Sequence, residues 1–163
     1  MVNLRIGNGF DVHQFVTGRD LILGGKKIEY RFGLQGHSDA DVLIHAVIDS
    51  LLGAAGLMDI GRMFPDTDRS YKDISSMALL GSVRESLETI PAVIVNIDTI
   101  VICQEPKISP HIDDMRKNLA TALRIDPSRV NIKGKTTEGL GFTGRGEGIA
   151  CYSVALLQMG IMK

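Results

Sequence analysis

Hydrophobic and polar positions change period several times along the chain, and each change marks an element. Over residues 4–15 they alternate imperfectly, as in a strand, with Gly7 and Gly9 where a strand bends or admits a close backbone neighbour. Residues 21–30 hold two short apolar runs around Gly24-Gly25, a hairpin signal. From Ser38 the spacing becomes helical, with Val42, Leu43, Ala46, Val47, Ser50, Leu51 and Ala54 on the apolar side and Ser38 or Asp39 as the expected cap. A second helix is predicted over about 74–90, with Met77, Leu80, Val83 and Leu87 as its stripe and Asp73 as its cap. Residues 92–104 are β-branched and apolar at almost every position except Asn96 and Asp98, which predicts a strand covered on both faces.

Ser109-Pro110 then reads as an N-cap with proline at the first helical position. Asp113 and Asp114 come early and Lys117 and Arg124 later, matching the helix dipole, while Ile112, Met115, Leu119, Ala122 and Leu123 face the core. Residues 130–137 and 149–157 read as two final strands, joined by a loop with glycine at 139, 141, 144, 146 and 148. Strands alternating with helices through the second half predict an α/β fold built in two layers, helices against a β-sheet.

Composition narrows the class. A chain of 163 residues, 44% hydrophobic and 23% charged, with no internal repeat or linker, is long enough for one domain spanning 1–163. Eighteen basic against nineteen acidic residues give a net charge of −1, so no overall field draws the chain to nucleic acid or an anionic membrane, and any phosphate recognition must be local. Cys103 and Cys151 each sit in an apolar run and are expected as buried free thiols. The first fifteen residues carry Arg5, Asp11 and His13 and lack a secretory apolar stretch. No segment approaches the roughly 20 apolar residues of a membrane span. A soluble, cytoplasmic protein is expected.

Four constellations could carry chemistry. In Asp11-Val12-His13, a spacing of two on a strand points both polar side chains to one side. Taken alone, this also fits a hydrogen-bonded pair at a strand end. On the helix after Ser38, Asp41, His45 and Asp49 share a narrow arc at about 100° per residue, yet Ile48 and Leu52 intrude on it, so the helix is expected to be buried nearly all round. Buried carboxylates and imidazoles must pair with each other or with a metal. Together the two constellations offer the ligand types of zinc, and three protein ligands would leave its fourth position open.

The third, Asp59-Ile60-Gly61 followed by Phe64-Pro65-Asp66-Thr67-Asp68, also fits an acidic surface turn capped by its own side chains. The fourth is KGKTTEGLGFTGR over 133–145. Its hydroxyls, lysine and glycine-flanked N–H groups can cradle phosphate, and Glu138 can hold a magnesium ion shared with phosphate oxygens. A plain hairpin loop explains the glycines equally well.

Read in order, GFDVH at 9–13, GHSDADVLIHA at 36–46, LLGAAGLMDIGRMFPDTD at 51–68, PKISPHI at 106–112 and KTTEGLGFTGRGEGIA at 135–150 resemble the 2-C-methyl-D-erythritol 2,4-cyclodiphosphate synthase family of the non-mevalonate isoprenoid pathway. The resemblance covers essentially the whole chain. It implies a homotrimer of α/β subunits, with a mixed β-sheet, helices on one face and active sites between neighbours. The implied reaction turns the cytidine diphosphate derivative of methylerythritol 2-phosphate into a cyclic diphosphate and CMP.

By the same resemblance Asp11, His13 and His45 are zinc ligands and Glu138 anchors magnesium or manganese. His37 and Ser38 hold phosphate, with His37 and Thr136 stabilising the transition state. Asp59, Ile60, Gly61, Phe64, Pro65, Asp66, Thr67 and Asp68 contact the substrate's methylerythritol part, and Asp11, Val12 and His13 are further substrate contacts. Cys103, Gln104, Glu105, Pro106, Lys107, Ile108 and Ser109, with Lys135, Thr136 and Thr137, wrap the cytidine diphosphate, and Phe142 and Arg145 complete the pocket. Phe10, Arg145 and Glu147 match the region near the threefold axis, where some members hold an isoprenoid diphosphate. Gly134-Lys135 departs from the small or hydroxyl residues often found there, and Asp41 and Asp49 are expected to orient the imidazoles. Two competing readings are a divalent-metal phosphohydrolase and a trimeric module that binds isoprenoid diphosphates without chemistry. At this length a stand-alone enzyme is expected, not a fusion with the preceding cytidylyltransferase.

Overall fold

The long alternating segment at the start becomes strand β1 (Asn3–Val16). The computed structural model describes residues 3–65 and 67–160, so Asp66 lies outside the described residues. The hairpin at Gly24-Gly25 follows as β2 (Leu21–Leu23) and β3 (Lys26–Ile28), then a two-residue strand β4 (Gly33–Leu34). Helix α1 (Val42–Ala55) comes next, then a single turn α2 (Ile60–Met63) and helix α3 (Ser76–Glu88). Strand β5 (Ala92–Ile102), helix α4 (Ile112–Leu123), strand β6 (Val130–Lys135), a short turn α5 (Gly141–Gly144) and strand β7 (Gly148–Met159) complete the described chain.

The main sheet has the order β4-β1-β7-β5-β6. β1 and β7 run antiparallel from Asn3↔Met159 to Gln14↔Gly148, so the chain's two ends form the centre of the sheet. β5 is antiparallel to β7, with an irregularity between Ile94 and Asn96, and α4 crosses over to bring β6 back parallel to β5. The architecture is thus α/β with a mixed sheet.

Helices pack on one face. α1 lies across β1 and β7, buried at every position except His45, Asp49 and Gly53, as its near-continuous apolar sequence requires. Gly7 and Gly9 let it approach. A Cβ at Gly7 would stand 2.0 Å from the Ser50 carbonyl oxygen, and one at Gly9 2.0 Å from that of Ala46. Across the contact the Ser50 and Ser153 hydroxyls meet at 3.0 Å. Both cysteines are buried free thiols.

Several local expectations change. α1 is capped by Asp41, not by Ser38 or Asp39: its carboxylate accepts from the Ile44 N–H at 3.1 Å and also from the N–H groups of Gly24 and Gly25. It ties the helix start to the hairpin, a long-range service that local periodicity does not reveal. α3 is capped by Ser75; Asp73 is in the left-handed region at φ 57°, and its N–H binds the His37 carbonyl. Ser109 and Pro110 form a 3₁₀ turn with His111 ahead of α4, with no side-chain cap. β5 is covered on one face only, since Val93 is exposed and Ile100 and Ile102 are half-buried.

Candidate metal centre

Asp11 and His13 sit two residues apart on β1 and point toward α1, where His45 occupies the second turn. The pleat sets the first pair on one side of the strand. The close β1–α1 approach at Gly9 brings the third member to them. Asp11 Oδ2 is 2.9 Å from His45 Nδ1 and 3.0 Å from His13 Nε2, and the two nitrogens are 3.1 Å apart. The side chains are only 13% to 27% exposed.

Three lone-pair-bearing atoms this close repel one another unless a proton or a cation sits among them. Ligands of a tetrahedral zinc, about 2.0 to 2.1 Å from the ion, stand about 3.3 Å apart. The donor set and its spacing therefore fit a divalent metal. Among the described residues this is the one group of three or more histidine, cysteine or acidic side chains placed to hold an ion.

Electrostatics follow from the same contacts. Burial pushes the Asp11 carboxyl up, but hydrogen bonds and charge from His13 and His45 outweigh it and hold the group below the usual carboxylate range. Burial works against the His13 imidazolium, yet the Asp11 carboxylate and the Gln35 carbonyl raise its pKa above the ordinary 6.5.

Asp41 and Asp49 do not orient the imidazoles. Asp41 is spent on three backbone N–H groups, and Asp49 accepts from the Ile60 N–H at 2.8 Å, fixing the start of α2 beside the cleft. The groups that touch His45 Nε2 are the hydroxyls of Ser76, at 2.9 Å, and Ser38, at 3.1 Å. Sequence reading missed Ser76, because a serine at a helix start carries no mark of what the helix packs against. It also missed Arg19, whose guanidinium donates to the Gly36 and Ser38 carbonyls and pins the loop that carries His37.

The triad opens into a cavity of about 310 Å³ that His37, Ser38, Ile60, Gly61 and Phe64 also line. His37 Nε2 is buried without a partner. Asp59 caps α2 through the Arg62 N–H, Asp68 caps the following turn through Ser70, and Pro65 and Thr67 are exposed. Val12 faces the opposite side of the sheet.

The remaining expected residues gather elsewhere. Cys103, Gln104, Pro106, Lys107, Ile108, Ser109, Lys135 and Thr136 line a separate hollow of about 260 Å³, with the Glu105 carbonyl accepting from the Cys103 thiol. Glu138, at φ 52°, takes the Thr136 hydroxyl on its carboxylate, and the Thr137 hydroxyl donates to the Leu140 carbonyl. Phe10 and Phe142 line an apolar hollow of about 560 Å³, and Arg145 pairs with Glu147 at 2.6 Å on the surface. Within one chain the triad and the Lys135–Thr136 hollow are thus distinct sites.

Fold and site together define a mixed-sheet α/β protein with a carboxylate–imidazole triad suited to a metal, opening into a cleft of mixed polar and apolar lining. The sequence profile of the YgbB family matches residues 4–158, and the chain belongs to that family. It is 58% identical over 153 residues to the 2-C-methyl-D-erythritol 2,4-cyclodiphosphate synthase of Caldicellulosiruptor bescii, covering 94% of this chain and 98% of that one. The Clostridium acetobutylicum protein of the same name is 57% identical over 154 residues, covering 94% and 99%. Among solved structures, the bifunctional IspDF of Campylobacter jejuni superposes with a TM-score of 0.94 at 44% identity, over 98% of this chain and 43% of that longer one. The CDP complex of Plasmodium falciparum IspF gives 0.85 at 38% identity, over 96% and 97%.

Proposed function

We propose that the chain converts 4-diphosphocytidyl-2-C-methyl-D-erythritol 2-phosphate to 2-C-methyl-D-erythritol 2,4-cyclodiphosphate and CMP. It is a lyase acting on a phosphorus–oxygen bond in isoprenoid biosynthesis. The observation that carries this reading is the Asp11–His13–His45 triad in a cleft floored by His37 and Ser38, in a chain of this family.

An oxygen of the substrate's own 2-phosphate attacks the β-phosphorus, the bond to the CMP oxygen breaks, and CMP leaves with the electron pair. The nucleophile is already ionised at neutral pH, so the protein needs no general base. Its work is positioning and charge stabilisation. His37, whose Nε2 is buried and unpartnered, is free to donate to a phosphate oxygen, and with Thr136 stabilises the transition state. The Ser38 hydroxyl holds the same phosphate. Asp59, Ile60 and Gly61, with Phe64, Pro65, Asp66, Thr67 and Asp68, hold the methylerythritol end. Residues 103–109 and Lys135 to Thr137 hold the cytidine diphosphate, and Phe142 and Arg145 close the pocket.

Asp11, His13 and His45 would hold zinc. Glu138, an exposed carboxylate with the Thr136 hydroxyl beside it, suits a magnesium or manganese ion that takes the rest of its shell from phosphate oxygens and water. Bound there, the ions would neutralise phosphate charge and lower the barrier to ring closure.

The working form is a homotrimer in the cytoplasm, one cyclase domain per chain, with each active site built from the triad cleft of one subunit and the nucleotide hollow of its neighbour. The uncovered sheet face supports this: Ile6 is 73% and Phe10 56% exposed, with Leu4, Val12 and Tyr152 beside them. Monomers rarely leave so many large apolar side chains open on one face of a sheet. Phe10, Arg145 and Glu147 would lie near the threefold axis, where an isoprenoid diphosphate would bind. No described helix is long and apolar enough to cross a membrane.

Phosphorus NMR of the protein with this substrate, zinc and magnesium, before and after chelation, tests the reaction. Metal-dependent CMP with a cyclic diphosphate is expected. CMP with linear phosphates would mean hydrolysis, and unchanged substrate would leave only a binding role.

A further inference from the structure

We propose that Asp39 and Ser76 are positioning residues that fix the tautomer of His45, so that its Nδ1 lone pair is presented to the metal. The inference rests on the metal reading above and adds to it two residues outside the ligand set.

The loop at 36–39 and the start of α3 are laced together by two backbone hydrogen bonds, Asp73 N–H to the His37 carbonyl and Asp39 N–H to the Ile74 carbonyl. This lacing places the Asp39 carboxylate against the first residue of α3. Asp39 Oδ2 accepts from the Ser76 N–H at 3.0 Å, and Oδ1 meets the Ser76 hydroxyl at 2.5 Å. Ser76 is completely buried, so no solvent competes for its hydroxyl. On its other side, Ser76 Oγ is 2.9 Å from His45 Nε2.

For a neutral His45 ring with metal between Nδ1 and Asp11, the direction of the bonds follows from the Asp39 carboxylate. A carboxylate only accepts, so the Ser76 proton points to Asp39. The Ser76 oxygen is then left as an acceptor toward His45, and Nε2 must carry the imidazole proton. Ser38 Oγ, 3.1 Å from the same nitrogen, is a second acceptor for it. With Nε2 protonated, Nδ1 is bare, and Nδ1 is the atom that faces Asp11 and His13. A carboxylate acting through a hydroxyl thus sets which nitrogen can bind metal, as outer partners of ligating histidines generally do.

The substitution that separates this role from simple packing is Asp39→Asn. The amide keeps the shape but has one accepting position where the carboxylate has two, while N–H groups face both oxygens, Ser76 toward Oδ2 and Asp41 toward Oδ1. With the amide oxygen toward the Ser76 N–H, its NH₂ donates to Ser76 Oγ, which turns the serine proton toward His45 Nε2 and favours the tautomer protonated at Nδ1. Ser76→Ala leaves Ser38 as the acceptor and should be milder.

The experiment uses histidine labelled with ¹⁵N in the full chain, loaded with ¹¹³Cd, together with zinc affinity from competition against a chromophoric chelator. In the parent protein the cadmium coupling is expected on His45 Nδ1, with the proton on Nε2. Zinc affinity is expected to fall about 10- to 100-fold in Asp39→Asn and less in Ser76→Ala. Coupling through His45 Nε2 would overturn the tautomer assignment. Coupling through Nδ1 with unchanged affinity in both variants would overturn the positioning role while leaving the metal site intact. Absence of coupling to either His13 or His45 would remove the metal site itself, and the relay with it.

Discussion

His45 shows how much one side chain can carry. Its Nδ1 completes a three-atom cluster and its Nε2 is held by hydroxyls, so it serves the cluster and the α3 contact at once. His45→Ala should abolish stoichiometric zinc and nearly all activity while leaving far-ultraviolet dichroism unchanged; full zinc content in the purified variant would contradict the ligand assignment. Glu138→Gln should retain zinc and lose activation by magnesium. The pH dependence of metal uptake follows from His13. Its pKa is raised above 6.5 in the metal-free protein and a metal needs the neutral ring, so zinc must displace a proton. Affinity should therefore climb as pH rises through and above 6.5, by about tenfold per unit for each proton displaced. Calorimetry in buffers of different ionisation enthalpy checks it, and buffer-independent heats would refute it. At this scale the triad was legible as a candidate, because Asp-x-His on a strand and a histidine on a nearly all-buried helix stand out, and the family motifs singled these three residues out as ligands. Ser76 and Arg19 were not, since their partners lie 31 and 17 residues away respectively and no local period links them.

Among the elements, the decisive contact is α1 on β1. It brings together ligands from two segments, and it depends on glycines that remove the Cβ between strand and helix backbone. Gly9→Ala would drive a methyl into the Ala46 carbonyl at 2.0 Å, and a backbone atom cannot rotate aside. Overpacking of this kind costs about 1 to 3 kcal/mol or more. We expect lower unfolding midpoints in urea and weaker zinc binding together, because the helix must shift with His45 on it. A variant as stable as the parent would show that the approach is not as close as described. Strands β1, β5, β6 and β7, the hairpin and three of the helices could be read from periodicity. The caps could not: Asp41 serves the hairpin as well as α1, and Ser75 displaces Asp73 because residue 73 is drawn into pairing with His37.

For the molecule as a whole, the open face of the sheet matters most. The β5 sequence reads as a strand buried on both sides, yet one side is uncovered in the single chain. The proposed trimer would cover that side. Ile6→Glu should convert a trimer to monomers in sedimentation velocity, with cyclase activity lost and zinc affinity kept, because the triad lies within one chain. A parent protein that sediments as a monomer would defeat this assembly.

Order and spacing of the motifs were enough to identify the family, the elements and the ligand types, because periodicity and ligand chemistry are local properties that each segment carries wherever it packs. Which carboxylate caps, which fixes a loop and which joins the triad depended on distances between segments far apart in sequence. Asp39, Asp41 and Asp49 look alike along the chain. Packing sends one to a serine, one to a hairpin and one to the edge of the cleft, since a buried carboxylate goes wherever the fold leaves donors unpaired.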